Sequence, residues 1–198
     1  MIAYSRASDS HLIIWQKTQG STAKFGKKRN SSLTNYNISI WGNEKQGIIE
    51  HAKVQVDFGT GLAHPCILEC IRNLMLLGIG QIAFIPFKGP LSCDTTYYLI
   101  AESQMTLEEL RIKLAFINPD CLFSIEDRTR GGDILVSLQL SESSGLRYKS
   151  KSNEVSIRIG PPNVFEDSLI GSQAAQLVIN ILTGSAVITE DLEVDIKI

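Results

Sequence analysis

The tripeptide Gly59-Thr60-Gly61 is the part of the sequence best suited to bind a ligand. It follows a predicted strand over residues 53–58 and precedes an apolar helix, where an α/β fold holds a nucleotide phosphate on backbone N–H groups. Such a site also needs an acidic residue after the second strand, to bind a ribose hydroxyl. No acidic residue occurs between Arg72 and Cys93. The pattern indicates a nucleotide-binding fold that lacks the polar residues needed to bind the nucleotide. It favours a tight turn between strand and helix over a working phosphate loop.

Two further side chains could do chemistry, and each has an ordinary structural interpretation. His64 precedes Pro65 and could be a base or a ligand, but no Ser/Asp or Cys/His constellation can be assigned to it. We therefore interpret His64 as a loop or helix-cap residue. Cys93 lies in a predicted loop, and Cys66 and Cys70 lie one turn apart on a predicted helix as buried thiols. With no CxxC pair, neither a metal site nor a catalytic residue is predicted.

The composition predicts one globular domain with a charged arm. At 198 residues and 43% hydrophobic content, the chain can bury one substantial core. Residues 1–30 contain six of the 19 basic residues but only one of the 21 acidic residues. We expect a basic, polar N-terminal arm over 1–33 and a folded domain over 34–198. The arm is either solvated or binds nucleic acid or an acidic partner.

The sequence also gives an expectation about location. The N-terminus is polar and lacks a secretory signal, and no apolar run approaches the ~20 residues that span a bilayer. We expect an intracellular protein, cytoplasmic or nuclear, with no membrane partner.

Strand and helix signals alternate along the chain. Pro65 fits the first position of a helix, and Thr106-Leu107-Glu108-Glu109 is a capping box. The alternation predicts an α/β fold, with a doubly wound, mostly parallel sheet in a single compact domain. Helices are predicted over residues 45–52, 66–77, 106–117 and 171–182, and strands over 53–58, 81–85, 121–125, 133–138, 154–159 and 192–198. Residues 141–153 are polar and predict no strand. In the last predicted strand, apolar and polar residues alternate, which predicts a half-buried strand at an edge or in a small separate sheet.

Several segments, in order and at family spacing, resemble the adenylation fold of the ubiquitin-activating-type (ThiF-like) superfamily. In particular they resemble the non-catalytic regulatory subunit of the activating enzyme for neddylation or its SUMO counterpart. The segments are residues 40–46, 52–54, 69–74, 77–80, 114–120, 136–147 and 171–179. The resemblance implies a Rossmann-like fold and a role as the partner of a catalytic adenylating subunit.

The chain departs from the family at the charged positions. Pro86 stands where the family has an aspartate, Thr106 near its phosphate-contacting lysine, and Leu140 at its magnesium-binding aspartate. The arginines that help a partner's active site fall at Tyr36 and Ser39. Adenylyl transfer depends on charge neutralisation and positioning, so these losses imply no catalysis by this chain. No cofactor is expected, and ATP would be one only if the loop Gly59–Gly61 still binds it.

Two further features follow from the resemblance. About four extra residues precede the helix at Pro65, and residues 145–164 are too few for the catalytic-cysteine insertion of related subunits. Trp41 is either an interface residue or a core anchor, and the small residues of the last helix pack within the chain, across a dimer, or both. The predicted partner interface is Ser39, Trp41, Gly42, Gly171, Ala174, Ala175 and Gln176.

Three functions remain open on the sequence. The favoured one is a catalytically silent regulatory subunit that pairs with an active adenylating subunit and supports activation of a ubiquitin-like protein. The second is an adenylating enzyme with an altered site that binds ATP or a dinucleotide through Gly59–Gly61. The third is a diverged interaction module that uses the basic arm.

Overall fold

The computed structural model describes residues 37–59, 61–93, 103–160, 164–185, 188 and 190–195. The predicted arm over 1–33 lies outside these residues, as do Tyr36 and Thr60.

A seven-stranded sheet is the centre of the fold, and its middle strand is built from the most buried residues. In β1 (Lys53–Asp57), Val54 and Val56 are completely buried. Parallel neighbours flank β1 on both sides, β3 (Gln81–Phe84) and β7 (Ile134–Leu140). The remaining strands of the sheet are β6 (Leu122–Ile125), β8 (Gly145–Lys149), β9 (Glu154–Ile159) and β10 (Leu192–Asp195).

The strand order is β6-β3-β1-β7-β9-β8-β10. From β6 to β9 all neighbours are parallel, whereas β8 is antiparallel to both β9 and β10. Strands that alternate with helices and leave the centre in both directions define a doubly wound α/β fold. The predicted fold class, a mostly parallel sheet in a single domain, is confirmed.

Besides the short helical stretch over residues 37–41, four α-helices with the bounds below lie in the described part of the chain, and two begin at the caps that the sequence predicts. They are α1 (Asn43–His51), α2 (Pro65–Leu76), α3 (Leu107–Ala115) and α4 (Val164–Leu182). Pro65 is the first residue of α2, where its missing N–H is not needed. Thr106 and Glu109 form the reciprocal bonds of a capping box at α3. Within the described residues, no helix is long and apolar enough to cross a membrane.

The core forms where α4 packs on α2 and on the strands β8 and β9. Gly171 lies at the crossing, and a Cβ built there would be 2.4 Å from the carbonyl oxygen of Cys66. Ala174 and Ala175 follow on the same helix and are buried. Small residues let two helix backbones approach closely, so this part of α4 is used for packing inside the chain.

The face of the sheet opposite the α2–α4 core is polar. Parallel sheets usually have two apolar faces, so this face differs from the usual arrangement. Ser137 and Ser156 are buried there beside Glu154, and the Ser137 hydroxyl donates to the Glu154 carboxylate at 2.8 Å. Burial opposes ionisation of Glu154, but this bond and the charges of Lys149 and Arg128 outweigh it. The pKa of Glu154 therefore lies below its usual value.

Four features of the structure differ from the sequence prediction. β8 lies inside the polar stretch where no strand is predicted, because its apolar face consists of only Leu146 and Tyr148. α4 begins at Val164 instead of 171. β10 is an edge strand as predicted, but Leu192 and Val194 are 37% and 39% exposed. A second sheet not predicted as such contains β2 (Leu62–Ala63), β4 (Leu91–Cys93) and β5 (Gln104–Met105).

Replacing Gly171 by alanine should lower the free energy of unfolding by about 1–3 kcal/mol, because the new methyl group overpacks the α2–α4 contact. At an open helix position the same change would stabilise by up to ~1 kcal/mol. The matched control is Ser168→Ala, at an exposed position of the same helix. Urea unfolding measures both variants, and a G171A variant as stable as S168A would contradict the close approach.

Candidate functional site

The candidate site lies where the strand order reverses, between β1 and β7. In open α/β sheets, ligands bind outside the carboxyl ends of the strands at this switch point. The chain that leaves β1 turns here, with Gly59 at φ 59° and Gly61 at φ 82°. The Gly59 amide donates to the Asp57 carboxylate at 2.8 Å, and the Gly61 amide donates to the Phe58 carbonyl oxygen at 3.2 Å. These two N–H groups, which a phosphate loop would direct at its ligand, bond to the protein itself.

Both glycines also make room for neighbouring parts of the chain. A Cβ at Gly59 would lie 2.5 Å from the carbonyl oxygen of Leu138 in β7. A Cβ at Gly61 would lie 2.0 Å from the ring of Phe87, the residue that follows Pro86 after β3. A strand carbonyl and an aromatic ring therefore occupy the space beside the turn. The geometry agrees with a tight turn that packs the strands together.

The extra residues before α2 form a strand of their own. Leu62 and Ala63 make β2 and pair in parallel with Ser92 and Cys93 of β4. The turn after β1 therefore leads into the small sheet before the chain reaches α2. In a phosphate-binding loop the turn opens the helix directly, so that the N-terminal N–H groups join the loop. The inserted strand separates those two parts here.

A buried polar cluster occupies the N-terminus of α2 and consists of His64, Cys66 and Asp167. The Cys66 amide donates to His64 Nδ1 at 3.4 Å, which makes His64 the helix cap, as predicted. The Cys66 thiol donates to Asp167 Oδ1 at 3.2 Å, and His64 Nε2 lies 3.8 Å from Asp167 Oδ2. The three residues are 7%, 0% and 4% exposed. They join the first turns of α2 and α4.

The cluster places a carboxylate beside the first turn of α2. The N-terminus of a helix favours negative charge, and Asp167 reaches this position through its contact with the Cys66 thiol.

The cluster does not have the arrangement of a catalytic cysteine. The Cys66 thiol faces the Asp167 carboxylate and not the imidazole of His64. Burial, and then the charge of Asp167, raise the pKa of the Cys66 thiol far above its usual value. Cys66 is a neutral thiol at physiological pH. Cys70, one turn further along α2, has a pKa raised by burial and then by Glu69.

The positions that carry charge in the resembled family hold neutral residues in the structure. Pro86 and Leu140 are exposed after β3 and at the end of β7, the carboxyl edge of the sheet. Thr106 caps α3, where its hydroxyl accepts a bond from the Glu109 amide at 3.2 Å. No Lys or Asp side chain stands at any of these three positions.

Three predicted interface residues lie at the beginning of the described chain. Ser39 is exposed, and Gly42 is the N-cap of α1 with φ 81°. Trp41 is half-buried against the core, and its Nε1 is buried with no hydrogen-bond partner among the described residues. The packing agrees with a core anchor, and the interface role of the three stays a prediction.

The other predicted interface residues lie on α4. Gly171, Ala174 and Ala175 are taken up by packing inside the chain. Gln176 is exposed and borders a groove between α4 and β10, beside the half-buried Leu177. A partner on this side of the molecule would contact Gln176 and the rim of that groove. The partner role of these four residues stays a prediction.

Sequence reasoning assigned His64 correctly but missed its buried partners. Asp167 lies 101 residues after Cys66, and only the crossing of α2 and α4 brings the two side chains together. No local spacing carries that information. The one available signal is weak: Asp167 follows Pro161-Pro162 and Glu166, as an acidic residue near a helix start does.

Solved structures of ThiF-like proteins share this fold. The chain superposes on tRNA N6-threonylcarbamoyladenosine dehydratase (TcdA) from E. coli with a TM-score of 0.58 and 10% identity, covering 78% of this chain and 95% of TcdA. PaaA aligns with a TM-score of 0.59 and 11% identity, covering 98% and 80%. MccB from E. coli, solved with MccA, aligns with a TM-score of 0.57 and 12% identity, covering 81% and 66%.

The alignments define a class of fold. No protein-family model matches the chain, and no curated protein matches it in sequence. The sheet order, the helices and these superpositions together show the Rossmann-like adenylation fold of ThiF-like proteins. At 10–12% identity the likeness concerns the fold alone.

We predict that Gly59→Ala is more destabilising than Gly184→Ala. Both glycines have similar positive φ, 59° and 62°, so both variants carry a backbone strain of roughly 1–2 kcal/mol. Only at Gly59 does the new Cβ meet a carbonyl oxygen, whereas nothing lies within 4 Å of a Cβ at Gly184. Overpacking should add a further ~1–3 kcal/mol to the loss at Gly59. Equal losses in urea unfolding would mean that the gap between the turn and β7 is open.

Proposed function

We propose that this chain is a catalytically silent regulatory subunit of a heterodimeric activating enzyme for a ubiquitin-like protein, of the neddylation or SUMO type. It pairs with an active adenylating subunit and acts as its partner and scaffold. The observation that carries the proposal is the closed switch point, where the Leu138 carbonyl and the Phe87 ring fill the space beside Gly59 and Gly61.

The contrast with TcdA supports a silent role. TcdA has been solved in complex with ATP and with AMP, so a protein of this fold holds a nucleotide. Adenylyl transfer neutralises and positions phosphate charge, and each such interaction is worth several kcal/mol of barrier lowering. Pro86, Thr106 and Leu140 provide none of that charge. The chain keeps the fold while its own groups work against the chemistry.

Exposed apolar side chains support a protein partner. Helix α3, its C-cap residue and the edge strand β6 follow one another along the chain, and they present four large apolar residues to solvent. They are Ile112 (49% exposed), Phe116 (86%), Leu122 (58%) and Ile125 (46%). An edge strand with exposed apolar residues is a feature that proteins normally cover. We assign these four residues, named the α3–β6 edge, to the contact with the adenylating subunit.

Nucleotide should not stabilise the chain. We predict the same melting temperature with and without millimolar Mg²⁺-ATP, because the turn amides are satisfied internally and the Leu138 carbonyl and the Phe87 ring lie beside the turn. A ligand present at 100 times its Kd would add about 2.7 kcal/mol to the free energy of unfolding. Mg²⁺ alone and Mg²⁺-AMP are the controls. A rise of several degrees with ATP would contradict the silent role and favour the alternative, an adenylating enzyme with an altered site.

Affinity capture of the tagged chain from its own cells, with mass spectrometry, should recover a stoichiometric adenylating subunit. We predict that the double variant Phe116→Ser/Leu122→Ser loses this partner, because polar residues replace its apolar contact. The matched control, Leu169→Ser, changes an apolar residue of α4 that is 39% exposed and should retain the partner.

The same experiment separates the other interpretations. Recovery of the chain alone would overturn the subunit role. Partners that are lost when residues 1–30 are deleted, and that dissociate steeply with salt, would favour an interaction module based on the basic arm.

A further inference from the structure

We propose that His64, Cys66 and Asp167 form a binding site for one divalent transition metal ion of the zinc class. The cluster offers an imidazole nitrogen, a thiol sulfur and a carboxylate oxygen, the donor types that zinc takes in proteins. It lies apart from the α3–β6 edge and does not depend on the role as a subunit. The sequence predicts no metal site, because a histidine and a cysteine two residues apart match no zinc motif.

The donor atoms have nearly the spacing of a tetrahedral site. Bonds of about 2.0 Å to nitrogen or oxygen and about 2.3 Å to sulfur separate neighbouring ligand atoms by roughly 3.3–3.6 Å. In the cluster, Cys66 Sγ lies 3.2 Å from Asp167 Oδ1, and His64 Nε2 lies 3.8 Å from Asp167 Oδ2. One donor atom from each residue lies within 4.8 Å of both others. Side-chain shifts of about 1 Å bring the three donors around one ion.

Charge and burial also fit a divalent cation. All three residues are less than a tenth exposed. When a metal replaces the thiol proton of Cys66, the thiolate and the Asp167 carboxylate together balance the two positive charges of the ion. The released proton leaves to solvent, so binding strengthens as the pH rises.

Metal binding changes the hydrogen bonds of His64 in one defined way. His64 Nδ1 accepts the Cys66 amide, which leaves the proton of the neutral ring on Nε2, the nitrogen nearer Asp167. An ion on Nε2 requires the other tautomer, with the proton on Nδ1, and the cap bond is then lost. At 3.4 Å that bond is long and weak, so the loss is small beside the new coordination bonds.

The site would join two helices. His64 and Cys66 belong to the first turn of α2, and Asp167 belongs to the first turn of α4. An ion here links the N-termini of the two helices whose crossing forms the core, so it should raise the melting temperature. The fourth coordination position falls to a water molecule or to a ligand from outside the triad.

The test titrates Co²⁺ into the full chain, with its tag removed and its metals stripped by a chelator. We expect one Co²⁺ per chain, with a thiolate-to-cobalt charge-transfer band in the near ultraviolet and visible bands of tetrahedral strength. Zinc should displace the cobalt. Cys66→Ser should abolish the charge-transfer band, whereas the matched control Cys70→Ser, at a buried thiol one turn away, should keep it.

The other two ligands are tested without disturbing the fold. Asp167→Asn preserves the shape of the side chain, and His64→Asn preserves a helix cap while it removes the imidazole. Each should weaken Co²⁺ binding more than tenfold, and melting of the metal-free variants checks that they fold. If Cys66→Ser fails to fold, these two variants decide.

Three results would overturn the proposal. The first is a wild-type chain that gives no charge-transfer band, the second is loss of the band in Cys70→Ser, and the third is binding of Co²⁺ by His64→Asn and Asp167→Asn as tight as in the wild type. The last two would mean that the ion is held by another thiol or by Cys66 alone.

Discussion

The crossing of α2 and α4 is the contact on which the rest of the structure depends. It exists because Gly171 has no side chain, so that α4 can lie directly on the Cys66 carbonyl of α2. The approach buries Ala174 and Ala175, brings α4 onto β8 and β9, and places Asp167 at the N-terminus of α2. One close backbone contact therefore sets both the core and the position of the buried His64–Cys66–Asp167 cluster.

The switch point of the sheet has been filled by the chain itself. In this fold a glycine-rich turn is useful because it lets a ligand approach the backbone. Here Gly59 and Gly61 admit a β7 carbonyl and the Phe87 ring, and the inserted β2 separates the turn from α2. Steric closure and the missing charges support the proposed silent role. A fold with exposed apolar groups at its α3–β6 edge is better suited to bind a protein.

The sequence predicts the features that depend on local rules. The capping box at Thr106, Pro65 at the start of α2, the His64 cap and the bounds of β9 all follow from neighbouring residues. The mostly parallel sheet follows from the alternation of strands and helices. The small sheet and the His64–Cys66–Asp167 cluster were missed because their members lie far apart in the chain, so only the folded structure brings them together. β8 was missed for a local reason: it pairs with the neighbouring β9, but only Leu146 and Tyr148 form its apolar face.

The measurement that tests the proposed role most directly is ATP–pyrophosphate exchange with the ubiquitin-like protein, the adenylating partner and this chain, together and separately. We predict no exchange above background by this chain without the partner, and at least a tenfold rise in the partner's rate when this chain is added. Exchange by this chain in the absence of the partner would contradict the account, because it requires a working nucleotide site beside Gly59 and Gly61.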